Sequence, residues 1–259
     1  MNKCTKVVWL LLVLLVFFVT ACAQMDDKKL SPYDLAQFRN VLNNSRLQWP
    51  ESHAVVTYGQ FEDFTAEYFY LSKDGYMTFE TRRGQYDDVT RVELRQGPDE
   101  WKTSARKMQR MLGELRLFYP ETIKEYTWMQ IHDTKTTEPY INKPLLRLLW
   151  RKKRAGNLDH LWAIVRTNKY ATGGSAPLWV DLGARPNGFF RAEVSIQNNV
   201  LIVKINNLEK LNYNVSYWQE YQNAFKAGIY LSGSANEDIG IDDKLVKLQF
   251  RSLRYDLLK

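Results

Sequence analysis

Three short runs carry polar side chains at every second position: Arg91-Val92-Glu93-Leu94-Arg95, Gln130-Ile131-His132 and Lys226-Ala227-Gly228-Ile229-Tyr230. Successive side chains of a strand point to opposite faces, so this spacing belongs to strands and not to helices. Arg91, Glu93 and Arg95 would share one face, as would Gln130 with His132, and Lys226 with Gly228 and Tyr230. The apolar residues between them turn to the other face. Such a chain must bury one face of a sheet and leave the other to water or to a ligand.

The remaining pattern is also strand-rich. Ser31-Pro32 with Asp34 reads as a helix start. Leu35, Phe38 and Leu42 continue it at helical spacing, and Asn43-Asn44-Ser45 ends it. Strand-like runs follow at 66–71 and 76–80 around the turn Lys73-Asp74-Gly75, then at 89–95. Further runs cover 144–150 and 161–167 around the basic turn 151–157. Two more, 189–196 and 200–205, flank Asn198-Asn199, and the last are 224–231 and 245–253. Residues 104–117 are good helix formers by propensity. Their β-rich surroundings and Gly113 favour a strand in the second half. About a dozen short strands, with no βαβ rhythm and no internal repeat, predict an all-β chain. The expected architecture is an antiparallel β-sandwich of jelly-roll type with a concave cleft, plus a short N-terminal helix.

The first thirty residues read as targeting. Lys3 and Lys6 precede an apolar run, Val7 to Val19, that is short for a membrane span. It ends in Val19-Thr20-Ala21-Cys22, which resembles a bacterial lipobox with Cys22 as the lipidated residue. The expected division is a signal peptide at 1–21, the lipidated cysteine and a polar tether at 22–30, and one β domain at 31–259. Cys4 would leave with the signal, so the mature domain has neither a disulfide nor a thiol for catalysis or metal binding. Ala23 gives no acidic retention signal, so the outer membrane is the expected location in a Gram-negative cell. The formal charge of +7 favours an anionic partner: nucleic acid, a membrane surface or an acidic polysaccharide. Aromatics at 14%, with 8 Trp and 15 Tyr, suit both strands and flat contacts with sugar rings.

Each polar run has a plain structural reading. Arg91, Glu93 and Arg95 could be a salt-bridge ladder in which Glu93 holds both arginines. Gln130 and His132 could be surface polars on a half-solvated strand, and Gly228 a strand kink. Glycine there also removes a side chain where something could approach the backbone closely. His53 and His160 have no comparable polar neighbours in sequence. No metal-ligand spacing, Ser-His-Asp pattern or phosphate loop is present. Pooled, the runs supply arginine, glutamine, histidine, lysine and tyrosine. That set suits binding a carboxylate, removing a proton α to it and protonating a leaving oxygen.

R-x-E-L-R, Q-I-H and F-K-A-G-x-Y, in this order, resemble the three motifs of the family 7 polysaccharide lyases, the alginate lyases. The likeness runs from about residue 30 to the C-terminus. Ala224 departs from it, standing where the third motif usually begins with tyrosine. The resemblance implies β-elimination on 1,4-linked uronate chains without metal or cofactor. It implies that Arg91 and Gln130, helped by His132, neutralise the substrate carboxylate. Tyr230 would protonate O4, and Tyr230 or His132 would take the C5 proton. Glu93, Arg95 and Lys226 would bind substrate, and Lys226 or Arg95 would help the Tyr230 oxygen carry negative charge. The isoleucine of Q-I-H is associated in the family with guluronate-containing blocks. The implied partners are alginate and, through Cys22, a membrane; nucleic acid is not expected, and the protein should be a monomer. Two other readings remain open: a lyase of the same fold on another polyuronate such as glucuronan, and a non-catalytic lipoprotein that captures acidic polysaccharide.

Overall fold

The computed structural model describes residues 29–82, 90–119, 122–134, 141–169, 176–231 and 245–257. The proposed signal segment 1–21, Cys22 and most of the tether lie outside them, as does Val89 at the start of an expected strand.

Ser31 caps the entry into the domain, its Oγ accepting the Tyr33 N–H at 3.2 Å. It caps a 3₁₀ turn, Pro32–Asp34, and not the α-helix expected there. Leu35 then adopts an extended conformation and helix α1 runs Ala36–Asn43. Its face of Phe38, Val41 and Leu42 enters the core, as the helical spacing requires.

From residue 45 onwards the described regular structure is strands, apart from a 3₁₀ turn at Ser216–Trp218. One sheet contains β1 (Ser45–Gln48), β2 (Ala54–Val56), β5 (Thr90–Gln96), β7 (Glu125–Asp133), β8 (Pro144–Arg154), β9 (Asn157–Val165), β10 (Leu178–Ala184) and β14 (Asn223–Leu231). Their order across the sheet is β10-β9-β8-β7-β14-β5-β1-β2. The second contains β3 (Phe69–Leu71), β4 (Met77–Arg82), β6 (Gln109–Phe118), β11 (Phe190–Gln197), β12 (Val200–Ile205), β13 (Leu208–Asn214) and β15 (Leu245–Leu257). Its order is β13-β12-β11-β6-β15-β4-β3. The two sheets form the jelly-roll sandwich.

Alternation decides which faces meet. Val92 and Leu94 of β5, Met129 and Ile131 of β7, and Phe225, Ala227 and Ile229 of β14 are buried in the common core. They pack with Met111, Leu115, Leu248 and Phe250 of the other sheet. The sheets approach closely at Gly113, where a Cβ would lie 2.8 Å from both the Met129 methyl and the Phe250 ring. The outward face of the eight-stranded sheet is left free for the polar residues.

Residues 104–117 resolve as the sequence context suggested: β6 occupies the second half, and no helix forms. Pairing on both sides, with β11 and β15, outweighs helix propensity. The hairpin at Asn198-Asn199 is present, both residues having positive φ. The turn expected at 151–157 is tighter: β8 continues to Arg154 and β9 begins at Asn157. Ala155 and Gly156 make the reversal with positive φ. Four strands, β1, β2, β10 and β13, have no counterpart in the sequence reading.

Candidate active site

The three polar runs become neighbours. β14 lies between β7 and β5, pairing Lys226 with both Gln130 and Arg95, Gly228 with Glu93, and Tyr230 with Arg91. Arg91, Arg95, Gln130, His132, Lys226 and Tyr230 all line one cleft of about 830 Å³ on the outward face.

Glu93 sits below the floor of this cleft, 1% exposed. Its carboxylate accepts from the Gln130 amide, from Arg91 at 3.4 Å and from the Lys226 ammonium at 3.4 Å. Burial alone would push its pKa up, but Lys226, Arg91 and the Gln130 amide together hold it below the usual carboxylate range. Gln130 and Arg91 therefore meet through Glu93. Arg95 is not held by Glu93 as the alternation suggested. It leans instead towards Glu100, 3.9 Å away.

Lys226 is 4% exposed. Burial, reinforced by Arg91 and Arg95 and opposed by Glu93, pushes its pKa down to about 8. His132 is also held below its ordinary value, chiefly by burial, with Asp133 opposing the shift. Its Nδ1 lies 2.8 Å from the Asp133 carbonyl and 3.3 Å from the Asp133 carboxylate. Both partners are acceptors, so Nδ1 carries the proton and Nε2 keeps a free lone pair. Asp133 also accepts from the backbone N–H groups of Ile141, Asn142 and Lys143 at 2.7–2.9 Å. It thus ties that edge of the cleft to the imidazole.

The Tyr230 ring has guanidiniums on either side of its site, Arg91 at 4.7 Å and Arg147 at 5.5 Å from the centroid. These cations stand where Lys226 or Arg95 had been expected: Tyr230 is opposite Arg91 on β5, whereas Lys226, opposite Arg95, lies four residues back along β14. Arg147 is fixed by two hydrogen bonds to Thr127 Oγ1, at 2.9 and 2.6 Å. Among the described residues, no hydrogen bond joins His132 to Tyr230; they share the cleft without touching.

Gly228 explains itself differently from the sequence reading. A Cβ there would lie 2.2 Å from the Val92 carbonyl oxygen, and its φ is +141°. What approaches is the neighbouring strand. Ile131 is fully buried on the core side, so it cannot touch a molecule in the cleft.

Several cleft residues had no signal of their own in sequence. Arg46, Lys143, Arg147 and Arg166 add positive charge, and Asp133 is the only acid among the described lining residues. His160, unremarkable in sequence, pairs with Asp181 at 2.8 Å outside the cleft. Asp181 arrives from β10, a strand the sequence did not reveal. Cleft and charge together suit a polyanion, with a neutral imidazole and a phenol on hand for proton transfer.

Comparison with known proteins points the same way. A family model described as alginate lyase matches residues 41–256. An alginate lyase of Photobacterium sp. (strain ATCC 43367) is 24% identical over 258 residues, covering 87% of each chain. Among solved structures, alginate lyase AlyC3 in complex with dimannuronate superposes with a TM-score of 0.78 at 21% identity, over 90% of this chain and 97% of that one. A variant of alginate lyase A1-II′ in complex with the substrate GGMG gives 0.67 at 18% identity, over 88% and 97%.

Proposed function

The chain belongs to the alginate lyase family, and from that premise we propose that it cleaves alginate by β-elimination within the cleft of β5, β7 and β14. The protein is a polysaccharide lyase. The observation that carries the mechanistic reading is the convergence of Arg91, Gln130, His132, Lys226 and Tyr230 on one cleft around the buried Glu93.

The C5 proton of a uronate is weakly acidic because the adjacent carboxylate resists further negative charge. Preorganised donors that neutralise the carboxylate lower that barrier most where water is scarce. Arg91 and Gln130 take this role. Glu93 orients both, leaving the second amide hydrogen of Gln130 and the outer guanidinium hydrogens of Arg91 for substrate. Arg95 and Lys226 add positive charge beside them. His132, neutral with Nε2 free, takes the C5 proton; Tyr230 donates to the departing O4. The electron pair of the C5–H bond becomes the C4=C5 double bond as the C4–O4 bond breaks. His132 and Tyr230 stand on opposite sides of Gln130 and Lys226 along the strands. This favours the division of labour expected for guluronate, where base and acid approach from opposite sides of the ring. With both steps on one side, as for mannuronate, Tyr230 would serve alone. The Ile131 association also leans to guluronate, but its burial means that it would act through packing only.

Time-resolved product analysis on separate mannuronate blocks, guluronate blocks and glucuronan tests the reading. Unsaturated ends should form on guluronate-containing alginate. Turnover of glucuronan alone would favour another polyuronate, and binding without a new chromophore would favour a capture protein. The run Val19-Thr20-Ala21-Cys22 supports lipid anchoring at Cys22, with the outer membrane as the location. Loss of membrane association in Cys22→Ser would bear this out, and an unchanged membrane fraction would refute it.

A further inference from the structure

One register row crosses seven strands of the outward-facing sheet. Trp179 of β10 pairs with Ile164 of β9, which pairs with Arg147 of β8. Arg147 pairs with Gln130, and Gln130 with Lys226. Lys226 pairs with Arg95, and Arg95 with Arg46 of β1. Residues opposite one another across a ladder share a face, so the row is continuous along the concave side. Six interstrand steps of about 4.8 Å make it roughly 29 Å long.

We infer that the polyuronate lies across the strands along this row, with Arg46 of β1 binding a uronate carboxylate at its end. This deepens the proposed function and rests on it.

The proton-transfer groups set the direction. Opposite His132 on β14 is Ala224, two residues before Lys226, whereas Tyr230 lies four residues after it. A chain running along the row passes between the two, presenting a sugar to both. A chain running along the strands would meet them one after the other.

Arg46 needs an anion. It lines the cleft, and among the described residues it has no ion-pair partner. Its Nε is buried without a hydrogen-bond partner. The charge beside it in register is Arg95, of the same sign, and Arg46 disfavours the charged form of Arg95. Like charges placed directly opposite are destabilising, and a carboxylate between them removes that conflict. Arg46, Arg95, Lys226 and Arg147 along the row match a polymer with one carboxylate on every unit. The repeat of such a polymer is comparable to the strand spacing, so the row holds roughly six units.

The test compares initial rates on uronate trimers and octamers for the full chain and for Arg46→Ala. A trimer centred on β7 and β14 does not reach Arg46, so the variant should match wild type on it. On octamers it should raise KM about tenfold with kcat kept, the signature of lost remote binding. Arg46→Lys, which keeps the charge, should recover part of the loss and serves if the alanine variant fails to fold. Unchanged octamer kinetics in Arg46→Ala, or equal losses on trimers and octamers, would overturn the inference. If the wild-type enzyme leaves alginate oligomers of every length intact, the functional reading itself fails, which is a separate outcome.

Discussion

His132 is available as a base at neutral pH because the protein makes its charged form costly. Burial disfavours the imidazolium, and the Asp133 carbonyl and carboxylate direct the remaining proton to Nδ1. The sign is definite: a depressed pKa keeps Nε2 unprotonated as pH falls below about 6.5. Lys226 sets the other limit. Its ammonium, at about 8, loses its proton as pH rises through that value, and the cleft loses a cation. On alginate, kcat/KM should therefore fall on the acid side only below the ordinary histidine range, and KM should rise above about pH 8. Lys226→Arg keeps the charge, so the alkaline rise in KM should move to higher pH. An unmoved rise would show that another group controls it. At this scale the sequence was informative where one strand carried the signal: Arg91, Gln130, His132, Lys226 and Tyr230 were all visible from alternation and motif. Arg46, Asp133 and Arg147 were not. Their roles come from which strands pair, and a register between residues far apart in sequence leaves no local mark.

The elements show the same division. Helix α1 and the Asn198-Asn199 hairpin were legible because periodicity and turn chemistry are local. β1 and β2 are only four and three residues long, too short to establish a period. β10 alternates weakly and contains Gly183, and β13 is mostly polar; both are edge strands of their sheets. β14 is where an element and the chemistry depend on each other most. Its glycine lets the strand approach β5 closely enough for Tyr230 to reach Arg91 and for Lys226 to reach Glu93. Gly228→Ala introduces a Cβ 2.2 Å from the Val92 carbonyl, on a backbone at φ +141°. It should cost about 3 kcal/mol, read as a Tm fall of about 6–12 °C, and it should lower activity along with stability. A variant with wild-type Tm and wild-type rate would show that the strands can part without consequence.

For the molecule as a whole, the sandwich divides its residues by face. One face of each strand builds a core that has no disulfide to support it, and the outward face of the larger sheet is left to hold a polyanion. Charge on that face is mostly positive, and its main carboxylate, Glu93, lies beneath the floor as an organiser of donors. On the proposed mechanism His132 and Tyr230 carry out elimination on alginate in this cleft. The most direct test of that mechanism is the rate of appearance of unsaturated uronate ends, followed by ultraviolet absorbance. Wild type, His132→Ala and Tyr230→Phe would be compared, with alginate binding and Tm measured in parallel. Each variant should lose at least about a hundredfold in kcat while still folding and binding alginate. Wild-type rates in both variants would rule out these two residues as the base and the acid.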